Sequence, residues 1–196
     1  MIIEMAKTES SFKNMVLTLL GISLVASLSL GAVYNLTKEP IAKAQLQKKE
    51  NAIKQVVPAF DKLEQISVTP EDGGDPVIIN KAVKGDSVIG YAVETYTDKG
   101  FSGRVLLMVG FSPEGSIINT AVLKHTETPG LGDKMDISKS DFPNQFKNQN
   151  PETFKLMVKK DGGQVDAITA ATISSRAFCD AVQRGYDAVK KQGGAK

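Results

Sequence analysis

The sequence predicts a membrane-anchored α+β protein: one N-terminal transmembrane helix, then a mostly antiparallel sheet with flanking helices, forming a single folded domain on an anchor. Three observations predict this architecture. Between Lys13 and Lys38 the chain carries no charged residue. From Pro76 to Lys124, segments rich in β-branched and aromatic residues alternate with turn signatures. From Ile173 to Val189, apolar residues recur at helical spacing.

The anchor comes first. Met15 to Leu36 as a helix spans about 33 Å, enough for the hydrocarbon layer. A cleaved signal peptide has a shorter apolar core, although the small residues of "SLSLGAVYN" would also suit a cleavage site. Gly21, Ser23, Ala26, Ser27 and Gly31 offer small surfaces that suit close approach of a neighbouring membrane helix. The expected organisation is a short tail at 1–13, a transmembrane helix at 14–37, a stalk helix at 38–57 and a folded domain at 58–196. Pro40 is expected to interrupt the helix. Lys7 and Lys13 precede the span, whereas Lys38, Lys43, Lys48, Lys49 and Lys54 follow it. That count favours the folded domain in the cytoplasm.

The domain's elements follow in order. "EDGGDP", 71–76, is a loop by composition. "PVIINKAV" and "SVIGYAVETYT" read as strands. "RVLLMVGF", 104–111, is apolar on both faces and reads as a central strand. "SPEG", 112–115, has the signature of a type I turn and should join it to "SIINTAVLK" as a hairpin. "DFPNQFKNQ" suggests a short helix, and "FKLMVKK" a further strand closed by "DGG". In the last helix Ile173, Ala177, Phe178, Ala181, Val182, Gly185 and Val189 share one face.

Composition excludes several classes. A net charge of +2 implies no nucleic-acid partner. One cysteine, Cys179, allows no intrachain disulfide and no cysteine-based metal or iron–sulfur site. One histidine, His125, excludes a multi-histidine metal centre, and no nucleophile–base pair stands in a hydrolase motif. Cys179 reads as a small buried apolar residue, and His125 as a loop residue with a satisfied hydrogen bond.

Two motifs remain. "HTETPGLGDK", 125–134, packs two glycines and a proline into an irregular loop, where glycine permits positive φ or close approach to a ligand. An ordinary surface loop has the same composition. In "VDAITAATISSRAF", 165–178, hydroxyls and small residues precede the final helix. A helix start presents unpaired N–H groups and suits a phosphate. It equally suits plain capping, with Thr172 or Ser174 as the N-cap.

"DAITAAT" resembles the flavinylation motif of the FMN-binding domains in the G subunit of the Rnf electron-transport complex and the C subunit of the sodium-pumping NADH:quinone reductase. That pattern is Asp, two residues, Ser or Thr, Gly, Ala, then Thr or Ser, whose last residue accepts FMN through a phosphoester bond. "HTETPGLG" looks like the second hallmark of these families, and an anchor followed by one domain matches them as well. Ala170 stands where glycine is usual. If that position requires positive φ, Ala170 carries strain.

The resemblance implies an FMN-binding domain with one covalent FMN per chain, on Thr172, attached once by a separate Mg²⁺-dependent flavin transferase that recognises the segment containing Asp166. Thr169 and the amides near Ile173 and Ser174 would hold the phosphate, with Ala170 and Ala171 leaving room. Glu127, Thr128 and Leu131 would lie near the isoalloxazine ring. Lys159, expected on the strand before the motif, would favour negative charge on the reduced ring. The chain length is nearer the Rnf subunit than its quinone-reductase homologue. The resemblance therefore implies an electron-transfer subunit of an Rnf-type ion-translocating ferredoxin:NAD⁺ oxidoreductase. Other membrane and iron–sulfur subunits would be its partners, since this chain has no nicotinamide fingerprint or iron–sulfur ligands. It also implies a single-pass protein of the bacterial cytoplasmic membrane with its domain outside, against the lysine count. A stand-alone membrane-tethered flavin carrier and a non-redox binding domain are the alternatives.

Overall fold

The computed structural model describes residues 11–70 and 73–193. The first ten residues of the expected tail, two residues of the expected loop at 71–76 and the last three residues lie outside them. The chain divides into two compact units, 1–46 and 47–196.

The first long element is helix α1, Phe12–Val56. In the first unit its apolar side chains, such as Leu17, Leu20, Ile22, Leu24 and Leu28, are uncovered. A helix of this length and composition suits a bilayer. The expected interruption at Pro40 is absent, because α1 includes it. Proline removes one backbone bond there, and the Thr37 hydroxyl adds one to the Val33 carbonyl at 2.8 Å.

In the second unit five strands, β1 (Lys62–Val68), β2 (Val77–Lys84), β3 (Ser87–Gly100), β4 (Gly103–Phe111) and β5 (Ile117–Lys124), form a meander in sequence order. Every neighbouring pair is antiparallel. β4 lies between β3 and β5, and Val105, Leu107, Met108, Val109 and Phe111 are fully buried. The expected turn at 112–115 closes β4 onto β5, with Gly115 N–H donating to the Ser112 carbonyl at 2.9 Å. β1 was not foreseen. It is an edge strand whose Leu63 and Ile66 are only half-buried among charged neighbours, so its alternation is weak.

The last helix, α2 (Thr172–Lys191), covers one sheet face. Ala177, Phe178, Ala181, Val182 and Val189 bury against Ile79, Val93, Leu107 and their neighbours. Removing the Phe178 ring would cost about 3–5 kcal/mol. Thr95 donates to the Ala181 carbonyl at 2.8 Å and Thr97 to Asp180 at 2.6 Å, which fixes the helix along β3. The end of α1 covers the other face, where Ile53, Val56 and Val57 meet Ala82, Ala92 and Met108. Gly110 is required there, since any side chain would collide with the Val56 backbone.

Two expectations are corrected. "FKLMVKK" is not a strand. Only an isolated bridge joins Val158 to Val165, and Lys159–Asp161 is a 3₁₀ turn. The chain doubles back at once, with Lys155, Met157 and Lys159 bonding to Gln164 and Val165, so the segment pairs with itself rather than with the sheet. Ile173 is not on the core face of α2 but 44% exposed, because it occupies the first turn, beyond the sheet contact. "DFPNQFKNQ" forms a 3₁₀ helix, Phe142–Phe146.

Candidate functional site

The segment from Asp166 to Ala171 crosses open backbone to the start of α2. It has no ladder to support it, so side chains do. Gln145 holds both backbone groups of Asp166, accepting from its N–H at 2.8 Å and donating to its carbonyl at 3.1 Å. Ser175 Oγ accepts from the Ile168 N–H at 2.9 Å and donates to the Ala171 carbonyl at 3.0 Å. Between these supports Thr169 and Ala170 form an exposed turn. Ala170 has φ 61°, the left-handed conformation that favours glycine.

The capping expectation fails. Ala171 occupies the N-cap of α2 and no side chain caps the helix. Thr172 is the first helical residue, half-buried, and its hydroxyl makes no hydrogen bond among the described residues. The N–H groups of Thr172, Ile173 and Ser174 likewise have no backbone acceptor among them. The first turn holds no acidic residue, whereas the last turn holds Lys190 and Lys191. The positive end of the helix dipole therefore faces outward beside an uncommitted hydroxyl.

The second motif folds against the same helix end. Gly130, at φ 77°, turns the loop, and Gly132 brings its backbone against α2. A side chain at 132 would come within 2.5 Å of Ser174 Oγ and 2.7 Å of Glu127 Oε2. Glu127 is only 4% exposed. It accepts from the Ser174 hydroxyl and, at 3.0 Å, from the Ser102 N–H in the β3–β4 turn. Thr126 Oγ1 donates to the Ser102 carbonyl at 2.7 Å, and the Glu127 N–H donates to His125 Nδ1 at 3.1 Å. One buried carboxylate thus joins hairpin, loop and helix.

The structure brings Glu127, Leu131, Thr172, Ile173 and Ser174 to one end of α2. Glu127 is buried among its partners, while Thr128 and Leu131 face outward, Leu131 at 39% exposure. Lys159 and Asp166 pair with each other at 2.8 Å on the surface. Arg176 makes a two-pronged ion pair to Asp161, at 2.6 and 2.7 Å, which ties the preceding turn to α2 and holds the Asp161 carboxyl below its ordinary range. An open depression of about 410 Å³ borders the segment and includes Lys134, Asp141, Phe142, Gln145, Asp166 and Thr169. A groove of about 610 Å³ beside Val68–Pro70 and the end of α2 includes no residue of either motif.

Sequence reasoning missed Phe101, Gln145 and Ser175. Phe101, 67% exposed, tips the β3–β4 hairpin beside Ser102, whose N–H donates to Glu127 at 3.0 Å. The "KGFSG" pattern, an apolar residue between glycines in a tight turn, was its available signal.

Comparison with known proteins decides the family. A family model described as "FMN-binding domain" matches residues 100–187, which cover the β3–β4 turn, β4, β5, both motifs and most of α2. The G subunit of the ion-translocating oxidoreductase complex of Yersinia pestis is 38% identical over 77% of this chain and 77% of its own length. The G subunit of the same-named complex from Methanosarcina acetivorans is 35% identical over 92% of this chain and 96% of its own. That from Haemophilus influenzae is 35% identical over 85% and 84%.

The chain belongs to the G-subunit family of ion-translocating oxidoreductase complexes.

Family membership with the α1 span makes it a membrane protein, and the FMN-binding match falls on the part of the chain that carries the site. The residues fit such a group. A free hydroxyl and three amides at a helix start suit a phosphate. Leu131 on the loop and Ile173 in the first turn of α2, both exposed, offer apolar surface for a planar ring.

Proposed function

We propose that this chain is a membrane-anchored electron carrier that holds one FMN covalently through Thr172 and serves in an Rnf-type ion-translocating ferredoxin:NAD⁺ oxidoreductase. The observation that carries this reading is the state of Thr172, whose hydroxyl is uncommitted at an uncapped helix start. Bound FMN would supply the redox chemistry.

The protein's own residues do the rest. The Thr172, Ile173 and Ser174 amides hold the phosphate in the positive field of α2, and Thr169 adds a hydroxyl beside it. Ala170 and Ala171 leave space. Glu127 acts by fixing the loop to the helix, so ring contact falls to Thr128, Leu131 and Phe101. Lys159, paired with Asp166, keeps a positive charge near the acceptor segment. Residues 14–37 span the bacterial cytoplasmic membrane, 38–57 form a stalk and 58–196 the flavin domain, outside the cytoplasm. A Mg²⁺-dependent flavin transferase loads the site, and membrane and iron–sulfur subunits of the complex supply and take the electrons.

Intact mass tests this directly. After coexpression with a flavin transferase, the wild-type chain should carry one flavin phosphate and Thr172→Ala none. An unmodified wild type, or a modified Thr172→Ala, would overturn the assignment.

A further inference from the structure

We propose that Gln145, which lies in neither motif, is the positioning residue that presets the flavin-acceptor segment for transfer; this rests on Thr172 being the acceptor. Gln145 sits on the 3₁₀ helix Phe142–Phe146, and its carboxamide makes three hydrogen bonds. Two close onto the N–H and carbonyl of Asp166, as a neighbouring strand would, and the third is donated to the Phe142 carbonyl at 3.0 Å. The amide plane is therefore fixed from both sides. Its platform is also fixed. Phe142 and Phe146 pack on Phe178 of α2, with ring centroids at 5.3 and 4.9 Å.

This gives the acceptor segment two supports mounted on one core. Gln145 holds its first residue, and Ser175, one turn into α2, holds Ile168 and Ala171 near its end. The stretch between them, Ala167 to Ala170, is exposed except for Ile168. The other tie on Asp166 is its surface pair with Lys159, of the kind that contributes little. Without Gln145 the segment keeps its helix end but loses its entry direction. A transferase must then order it on binding.

The step itself needs that order. A phosphate monoester has no good leaving group, so the donor is a flavin phosphoanhydride such as FAD. Thr172 Oγ1 bonds to the flavin phosphorus and the anhydride P–O bond breaks. The nucleotide monophosphate leaves with the electron pair, and the hydroxyl proton passes to the transferase or water. No electrons are exchanged.

The test uses the full-length protein in detergent, made without flavin and then treated with a flavin transferase, FAD and Mg²⁺. Gln145→Glu keeps the size and one acceptor but cannot donate to the Asp166 and Phe142 carbonyls. Gln145→Met keeps the length and removes every hydrogen bond, and it carries the test if the first variant fails to fold. The expected result is an acceptor-protein KM raised about tenfold with kcat near wild type. Amide exchange over 165–171 of the flavin-free protein should also speed up, with Tm nearly unchanged. Wild-type KM and exchange in a folded variant would overturn the clamp. If the wild type itself accepts no flavin, the Thr172 assignment fails, and the exchange measurement alone still decides whether Gln145 orders the segment.

Discussion

The Ser174 hydroxyl donates to Glu127 Oε2 across 47 positions of sequence. This bond is the point at which the two motifs become one site. The same carboxylate accepts from the Ser102 N–H, so the β3–β4 turn joins them. Gly132 has no side chain because Glu127 and Ser174 already fill the space.

Glu127→Ala should therefore cost about 1–3 kcal/mol, chiefly because it leaves the buried Ser174 hydroxyl without its partner, the Ser102 amide lying in an exposed turn. Glu127→Gln keeps an acceptor for Ser102 and can donate to Ser174 Oγ, so its cost should be about 1 kcal/mol. Urea unfolding of both variants checks the order. Equal losses would show that side-chain volume, not the latch, matters at this position.

Thr120 on β5 is 3% exposed, and its hydroxyl has no hydrogen-bond partner among the described residues. Thr120→Val keeps the shape and removes an unpaired polar group. Stability should rise by about 1 kcal/mol. A loss of stability in the same unfolding assay would mean that the hydroxyl is satisfied in solution.

Much of this was legible in the sequence because its signals are local. β2 to β5, the Ser112–Gly115 turn and the amphipathic α2 each follow from periodicity or turn chemistry within a few residues. β1 was not, because an edge strand with charged neighbours lacks a clean alternation. "FKLMVKK" was misread because β-type composition cannot tell whether a partner strand is available, and here the chain folds back on itself. At the site, Thr172 was found through motif resemblance, whereas Gln145 and Ser175 had no local signal. The Gln145 bonds to Asp166 join residues 21 positions apart, whose elements are held by the packing of Phe142 and Phe146 on Phe178, whereas Ser175 reaches back four and seven residues to Ala171 and Ile168.

Cys179 is buried in α2, and burial pushes its thiol up to about 12 from an ordinary value of 9.0. The folded protein thus keeps this proton at pH values where the unfolded chain releases it. The resulting stability is complete below about pH 9 and is lost progressively between about pH 9 and pH 12. Cys179→Ala removes that dependence. Its stability should fall less steeply than the wild type's between about pH 9 and pH 11. Parallel curves for the two proteins would refute the burial argument. In the folded state the thiol should also resist alkylation at neutral pH.

Ala170 places a methyl-bearing residue at φ 61° where the resemblance led us to expect glycine. The left-handed conformation costs an L-residue about 1–2 kcal/mol. Glycine avoids that cost but loses about 0.5–1 kcal/mol more conformational entropy on folding. The first effect outweighs the second, so Ala170→Gly should stabilise the protein by about 0.5–1 kcal/mol. The residue is exposed and the turn is held at both ends by Gln145 and Ser175, so the backbone need not move. Ala170→Val, branched at Cβ, should destabilise instead, because a bulky residue in this region is a genuine outlier. The pair of variants sets the sign independently of any flavin. If Ala170→Gly lowers the urea midpoint, the turn is not left-handed in solution, and the strain argument fails with it.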